Sequence, residues 1–296
     1  MMTTPQDLEE FAIGFGLSEG IINSSADVES LDIGRLDDGV ELRMWLSKAK
    51  ADRLQQRRRH IARPTGCGLC GIDSIVEAMR SAAVIQSGQQ FSSAQIMGAM
   101  QNLPLLQKLN METRAVHAAA FWDSKRGIVA LREDVGRHNA LDKLSGVLAR
   151  ACIVASNGII LLTSRVSVEM VQKSDAIGAP AMVSVSAPTA LAVRMADLAV
   201  ITLAAIARAD GFEVFTHPCR IFLWSRLSDG GLGLVHRLDR SHFSAAGSHA
   251  AWPQINTHAH KKGKNDARVA ILGKRRLARG VRIKIIRQEK HNDSRG

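Results

Sequence analysis

The amino-acid sequence predicts an α/β protein in which a mostly parallel or mixed sheet is covered by helices. Two observations lead to this prediction. Short apolar runs alternate with helical segments of about ten residues from residue 137 onward, which is the pattern of strands joined by helices. The chain also has 296 residues with 46% hydrophobic content, which is enough to bury a sizeable core in one or two domains.

A helix and a strand are predicted at the N-terminal end. Thr4-Pro5 places a hydroxyl cap before a proline, so a helix is expected to begin there and to end near Gly20. Asp37-Asp38-Gly39 is a turn signal. The alternating apolar residues at 40–46 predict a strand after this turn.

The remaining elements follow from apolar periodicity. Two strands are predicted over residues 115–132, joined by a turn at residues 123–127. The other predicted strands are residues 158–163 and 181–186, and the other predicted helices are residues 93–110, the segment from 137 onward, 167–177 and 188–198.

The positive charge of the chain is concentrated at its C-terminal end. Residues 222–296 contain 16 Lys and Arg residues and five Asp and Glu residues, which accounts for the whole formal charge of +11. The body is therefore balanced and has no global basic signature of a nucleic-acid-binding protein. Many like charges with little periodic apolar content predict that the extension is disordered. Residues from about 225 are expected to pack poorly against the core.

The compartment expected from the sequence is the cytoplasm. No apolar run approaches the ~20 residues of a membrane-spanning helix. The N-terminal sequence also lacks the basic and apolar regions of a secretory signal. Thiols remain reduced in the cytoplasm, so the four cysteines are not expected to form a disulfide framework.

The first candidate for chemistry is the pair Cys67 and Cys70 in the glycine-flanked loop Thr65–Gly71. Two thiols three residues apart suit sulfur or redox chemistry, because a thiolate attacks sulfane sulfur and the second thiol can relay it. Half of a zinc site and a structural coincidence are the alternatives. The sequence contains no second Cys-x-x-Cys, and Cys152 lies in an apolar stretch typical of a core.

The second candidate is the polar block at residues 132–143, between a predicted strand and a predicted helix. Its Asp134, Arg137 and His138 lie where α/β proteins often build sites, and backbone N–H groups at the helix start can bind an anion. The alternative is a solvated helix cap with local ion pairs.

The third candidate is a short segment after a predicted strand, where His217 and Arg220 could bind phosphate. A surface turn is the alternative, because proline favours turns. The segment consists of Phe215, Thr216, His217, Pro218, Cys219 and Arg220.

In order and spacing these segments resemble the FdhD family, the accessory sulfurtransferases of formate dehydrogenase. The resemblance covers roughly residues 2–221, and its long charged Glu-Asp-Val-Gly-Arg-His-Asn block is the most specific part. The matching pieces are Thr4–Leu8, Glu19–Ile22, Thr65–Gly71, Glu133–Lys143, Ser164-Arg165, Glu169–Lys173, Ser184–Thr189 and Thr216–Pro218.

The resemblance implies a cytidine-deaminase-like mixed sheet flanked by helices, in a homodimer. It also implies that a cysteine desulfurase passes sulfur to Cys67 as a persulfide, with Cys70 assisting. The sulfur then goes to the molybdenum cofactor with two guanine dinucleotides, for formate dehydrogenase. The segment Phe215 to Arg220 is expected to touch that cofactor. A guanine nucleotide such as GDP is expected to occupy part of the same site, with Glu133 to Asp142 and Phe215 to Arg220 as its walls. No membrane or nucleic-acid partner is expected.

Four segments are expected along the chain: 1–62 with the N-terminal helix and strands, 63–110 with the cysteine loop and a helical segment, 111–222 with the α/β core, and 223–296 as the basic extension. Members of the family usually begin a few tens of residues earlier, so one or two opening strands are expected to be absent. Cys219 stands where the family usually has Glu. The rival function is a non-catalytic chaperone that binds the cofactor and its target enzyme.

Overall fold

A computed structural model describes residues 1–37, 39–47 and 89–222, and the backbone of residues 280–286. Its helices are α1 (Leu8–Ser18), α2 (Ser93–Asn102), α3 (Lys108–Thr113), α4 (Arg137–Arg150), α5 (Val168–Ile177) and α6 (Ala190–Leu198). Its strands are β1 (Val28–Leu36), β2 (Gly39–Leu46), β3 (Phe91–Ser92), β4 (His117–Asp123), β5 (Gly127–Asp134), β6 (Gly158–Leu162), β7 (Ala181–Ser184), β8 (Thr202–Arg208), β9 (Gly211–Val214), β10 (Ile221–Phe222) and β11 (Gly280–Ile286).

The largest sheet has six strands in the order β5-β4-β6-β7-β8-β9. Strands β6, β7 and β8 are parallel, whereas β4 runs antiparallel to both β5 and β6, and β9 runs antiparallel to β8. The prediction of a mixed sheet with helices is therefore confirmed. The carboxyl ends of β6 and β7 lie at one edge, and the residue pair His117–Asp134 of β4 and β5 lies at that same edge.

Both faces of this sheet are buried. Helices α4, α5 and α6 cover one face, where Leu141 and Leu144 of α4 belong to the same apolar cluster as Phe121 of the sheet. Helix α2 covers the other face with Ile96 and Met100. Strands buried on both faces read as continuous apolar runs rather than as alternating patterns, which is how β6 could be predicted from its sequence.

A smaller N-terminal unit lies on the outer side of α4. Helix α1 packs along α4, and the hairpin of β1 and β2 covers α1 with Leu42, Met44 and Leu46, all of which are buried. Leu36 pairs with Gly39, so the chain reverses at the predicted turn between these two residues. Helix α4 is consequently enclosed between the sheet and α1.

Helices α1 and α4 approach each other closely at two glycines. A Cβ atom on Gly14 would lie 1.7 Å from the backbone oxygen of Asp142, and one on Gly146 would lie 1.9 Å from that of Glu10. Only glycine lets the two helix backbones come this near without displacement. The two glycines therefore set the spacing between α1 and α4.

Three local predictions are wrong. Helix α1 begins at Leu8 rather than at Thr4-Pro5, because the Thr4 amide and hydroxyl bond to another part of the chain. The helix predicted at residues 93–110 is broken after Asn102, where Pro104 lacks an N–H donor and a 3₁₀ turn follows. Cys152 is exposed, just beyond the C-terminal end of α4, and is not a core residue.

Part of the basic extension is ordered. Residues Gly280–Ile286 form β11, which pairs antiparallel with β2 from Gly280 opposite Trp45 to Ile286 opposite Gly39. The prediction of disorder is therefore wrong for these seven residues. The rest of the extension, residues 223–279 and 287–296, lies outside the described residues.

The close helix contact gives a first prediction. Replacing Gly146 with Ala should lower the free energy of unfolding by about 1–3 kcal/mol or more, because the added methyl group meets backbone rather than a movable side chain. Urea denaturation monitored by circular dichroism measures this. Gly98→Ala is the matched control, since a Cβ atom added to Gly98 in α2 would have nothing within 4 Å, and it should be neutral or stabilising by up to about 1 kcal/mol. Equal effects of the two substitutions would contradict the close contact.

Candidate functional site at the carboxyl edge of the sheet

The polar block between β5 and α4 is organised by a buried ion pair. The Nζ atom of Lys143 lies 2.6 Å from Oδ2 of Asp134, and both side chains are fully buried, with 0% exposure. The other carboxylate oxygen of Asp134 accepts hydrogen bonds from the Gly136 amide at 2.8 Å and from Nδ2 of Asn139 at 3.0 Å. Asp134 thus ties the end of β5 to the first turns of α4.

The N-terminal residues complete this network. The Thr3 hydroxyl and the Thr4 amide both donate to Oδ2 of Asp134, the latter at 2.9 Å. The Thr4 carbonyl accepts from Nζ of Lys143 at 3.0 Å. The Met2 carbonyl accepts from Nδ2 of Asn139 at 2.7 Å. Residues 2–4 therefore satisfy groups that burial would otherwise leave without partners.

A second buried ion pair links α4 to α5. Nζ of Lys173 lies 2.7 Å from Oδ1 of Asp142, which also accepts a hydrogen bond from the Ser18 hydroxyl at 2.7 Å. The ring of Phe15 lies 5.9 Å from the same ammonium group. The end of α1 thereby covers this pair as residues 2–4 cover the first.

The alternative interpretation of residues 132–143, as a solvated helix cap with local ion pairs, is wrong. Asp134, Asn139, Asp142 and Lys143 are all buried, so the charges serve interior pairing rather than a solvated surface. Buried charges of this kind are tolerated only when every partner is in place. The pairs therefore fix where α4 begins and which side chains it presents at the carboxyl edge.

Two of the predicted residues, Arg137 and His138, lie at this edge on the first turn of α4. Nε2 of His138 is 3.4 Å from the Ser167 hydroxyl and 3.8 Å from Oε2 of Glu169, at the start of α5. Burial alone would raise the pKa of Glu169, but hydrogen bonds from His138 and Ser167 outweigh it and lower that pKa. The acidic group of Glu169 is therefore already engaged.

Two further cationic or titratable side chains, His117 and Arg165, reach the same edge. His117 pairs with Asp134 across β4 and β5, while the Thr163 hydroxyl accepts from the next amide of β4, that of Ala118, at 2.8 Å. Burial and the charges of Arg137 and Arg165 hold the pKa of His117 below its ordinary value. Sequence reasoning missed both residues as site candidates. Their positions in the sequence, each next to the end of a predicted strand at this edge of the sheet, could have identified them.

The predicted segment Phe215–Arg220 lies at the opposite, amino edge of the sheet. The Thr216 hydroxyl bonds the backbone of Ile201 and Leu203 at the start of β8, and the Thr202 hydroxyl donates to the His217 carbonyl at 2.8 Å. The Arg220 guanidinium donates to the Val200 carbonyl at 2.7 Å. Thr216 and Arg220 are buried, so they fix the segment rather than face solvent.

The exposed part of that segment is its turn. Pro218 and Cys219 are exposed, and His217 is half-buried with Nε2 lying 2.8 Å from the Asp197 carbonyl oxygen. Phe215 is half-buried against the apolar cluster on the α4 face. Among the described residues of this segment, Pro218 and Cys219 are thus the most open to a ligand, with His217 and Phe215 partly exposed.

The structure does not bring the two predicted ligand walls together within one copy of the chain. Asp134, Arg137 and His138 lie at the carboxyl edge and Phe215–Arg220 at the amino edge, separated by the length of β6, roughly 15 Å. Asp134 is also fully enclosed by its partners, which leaves it a positioning role.

Cys67 and Cys70 lie outside the described residues, as does the whole loop Thr65–Gly71. In the described ranges, no group of three or more His, Cys, Asp and Glu side chains is arranged to hold a metal ion. A shallow apolar groove of about 280 Å³, lined in part by Leu105, Leu106 and Trp122, contains none of the predicted site residues.

A solved structure shares this α/β architecture. It is the crystal structure of a protein from Desulfotalea psychrophila described as a formate dehydrogenase accessory protein, with 26% sequence identity and a TM-score of 0.57. The match covers 74% of this chain and 82% of that protein. The fold is thus that of a formate dehydrogenase accessory protein.

The chain belongs to the FdhD/NarQ family, whose model matches residues 1–222. Among its relatives, the sulfur carrier protein FdhD of Agrobacterium fabrum is 48% identical over 224 residues, covering 75% of this chain and 83% of the relative. The protein of the same name from Cupriavidus necator is 47% identical over 221 residues, covering 75% of this chain and 77% of the relative. The match to the family model ends at residue 222, where the basic extension begins.

No helix in the part of the chain that the structure describes is long and apolar enough to span a membrane.

The buried network gives the second prediction. Lys143→Met should lower the free energy of unfolding by about 3–5 kcal/mol, because it leaves the enclosed Asp134 carboxylate without its cation. Arg150→Met is the matched control, since Arg150 pairs with Glu9 and Glu10 at the surface and should lose no more than about 1 kcal/mol. Chemical denaturation measures both variants. A Lys143 variant as stable as the Arg150 variant would show that the pair does not organise this edge.

Proposed function

We propose that the chain is a sulfur carrier of the cytoplasm that passes sulfur from a cysteine desulfurase to the molybdenum cofactor of formate dehydrogenase. The observation that carries the proposal is that Cys67-x-x-Cys70 lies within the family match, among relatives named sulfur carrier proteins. The cofactor, which bears two guanine dinucleotides, is the acceptor of the sulfur and therefore a substrate.

The proposed sulfur step uses Cys67 as the nucleophile. Its thiolate attacks the terminal sulfur of the desulfurase persulfide, so that a new S–S bond forms on Cys67 and the desulfurase cysteine leaves as a thiolate. Cys70 assists, because a second thiol three residues away can shield or relay the bound sulfur.

The described core supplies two separate contact regions for an extended substrate. The carboxyl edge presents Arg137 and His138, and the amino edge presents the turn at His217 to Cys219. A cofactor with two dinucleotide arms is much longer than a mononucleotide, so the separation of the regions supports contacts to different parts of it. Within one copy, the two regions do not enclose a single guanine nucleotide.

A homodimer with a cytidine-deaminase-like arrangement of each sheet is part of the proposal. The strand order β5-β4-β6-β7-β8, with β6 to β8 parallel, is compatible with that arrangement. The rival function is a chaperone that binds cofactor and target enzyme without carrying sulfur. The two functions differ only in the need for a reactive thiol.

The third prediction tests this thiol. Incubation of the full chain with a cysteine desulfurase and cysteine should add about 32 Da, one sulfur atom, to Cys67, because its thiolate accepts sulfane sulfur. Cys67→Ala should abolish formate dehydrogenase maturation in cells that lack their own copy, and Cys70→Ala should impair it. Intact-mass measurement and formate dehydrogenase activity are the readouts.

Cys152→Ser is the control for this experiment, because Cys152 is an exposed thiol outside both predicted ligand regions and should be dispensable. Full maturation by the Cys67→Ala variant would establish the chaperone function instead.

The fourth prediction concerns the base of the nucleotide. GDP should bind more tightly than ADP, because the proposed substrate carries guanine at the end of each arm. Isothermal titration calorimetry of the full chain with each nucleotide measures the ratio. Equal affinities would remove the support for a guanine-bearing substrate without bearing on the thiol chemistry.

A further inference from the structure

We infer that His117, Arg137 and Arg165 form a binding site for a diphosphate group at the carboxyl edge of the sheet. The inference rests on the proposed function only for the natural source of the diphosphate, which would be a dinucleotide arm of the cofactor. The site itself follows from the described residues.

The carboxyl edge carries an excess of positive charge. Within the described ranges neither Arg137 nor Arg165 has a carboxylate partner, and Nε of Arg137 is enclosed without a hydrogen-bond partner. Of the nearby acids, Asp134 is paired with Lys143, and Glu169, which accepts hydrogen bonds from His138 and Ser167, is a single carboxylate beside two guanidinium groups. Two guanidinium groups held near an imidazole repel one another unless an anion lies between them.

Three chain segments converge at this edge. Strand register places His117 beside Asp134, on the sheet face covered by α4, since opposite residues of an antiparallel pair share a face. Arg137 begins α4 on that face. Arg165 follows β6, whose end lies beside the start of β4 through the Thr163–Ala118 contact.

The backbone at the start of α4 favours the same charge. Helix α4 begins at this edge with Gly136 as its N-cap residue and no acidic residue in its first turn, whereas the first turn of α5 already contains Glu169. The positive end of the α4 dipole therefore favours an anion there. Guanidinium groups suit phosphate oxygens because their N–H groups form paired hydrogen bonds.

A diphosphate fits better than a single carboxylate. Two guanidinium groups and one imidazole offer more donors than one carboxylate can accept, and the start of α4 adds its positive helix end to the same region. Phosphate oxygens spread over two phosphorus centres can contact both cations. Arg165 is exposed, so this site is open to solvent from its side.

The test is calorimetric titration of the full chain with inorganic pyrophosphate at low ionic strength, with sodium sulfate as the comparison anion. Arg165→Gln should weaken pyrophosphate binding roughly 10- to 100-fold, the loss expected for a charge-assisted hydrogen bond. Arg165 is exposed, so this variant should keep the melting temperature of the parent protein. Arg137→Gln should weaken binding similarly.

Arg126→Gln is the matched control, because Arg126 is an exposed arginine in the turn between β4 and β5 at the opposite edge. It should bind pyrophosphate like the parent chain. Equal affinities of the Arg165 and Arg126 variants, or no preference for pyrophosphate over sulfate in the parent, would overturn the inference. Sulfur addition to Cys67 is measured separately, so the diphosphate site and the sulfur-carrier function can fail independently.

Discussion

The carboxyl edge of this protein depends on the ion pair between Lys143 and Asp134. Removing two charges from water costs several kcal/mol per ion, and their attraction offsets this only when the remaining donors and acceptors are satisfied. Here the Gly136 amide, the Asn139 side chain and the N-terminal residues supply those bonds. The pair therefore holds together a strand, a helix and the start of the chain, and it fixes where Arg137 and His138 emerge.

Helix α4 has an unusual position because it is covered on two sides. Its apolar side packs on the sheet, while its polar side forms buried ion pairs with β5 and α5 and approaches α1 at two close glycine contacts. Apolar packing on both sides would hold the helix without fixing its rotation. The ion pairs restrict that rotation, since a charged group left without its partner in the interior is strongly destabilising.

Much of the architecture could be predicted from the sequence, because β6 and β7 are short apolar runs and the helices after them carry clear periodicity. The site was predictable only in part. A charged block looks the same in sequence whether it faces water or a covering helix, so the burial of Asp134 and Lys143 depended on a segment about 130 residues away. Thr4-Pro5 has the local signature of a helix start, yet the hydroxyl oxygen of Thr4, which a helix cap would use as an acceptor, accepts from the Val135 amide instead. The opposite locations of His138 and His217 follow from strand direction, which periodicity does not reveal.

The bonds from Thr3 and Thr4 to Asp134 also bear on how the chain is made. During synthesis residues 2–4 emerge about 130 residues before their partners Asp134, Asn139 and Lys143. Residues 2–4 therefore cannot form these hydrogen bonds until the later residues have been synthesised. Contacts between residues so distant in sequence also form slowly, because a long loop has to close. Since the Met2 carbonyl accepts a hydrogen bond in the folded interior, any segment that precedes it must leave residues 2–4 free to fold back onto α4.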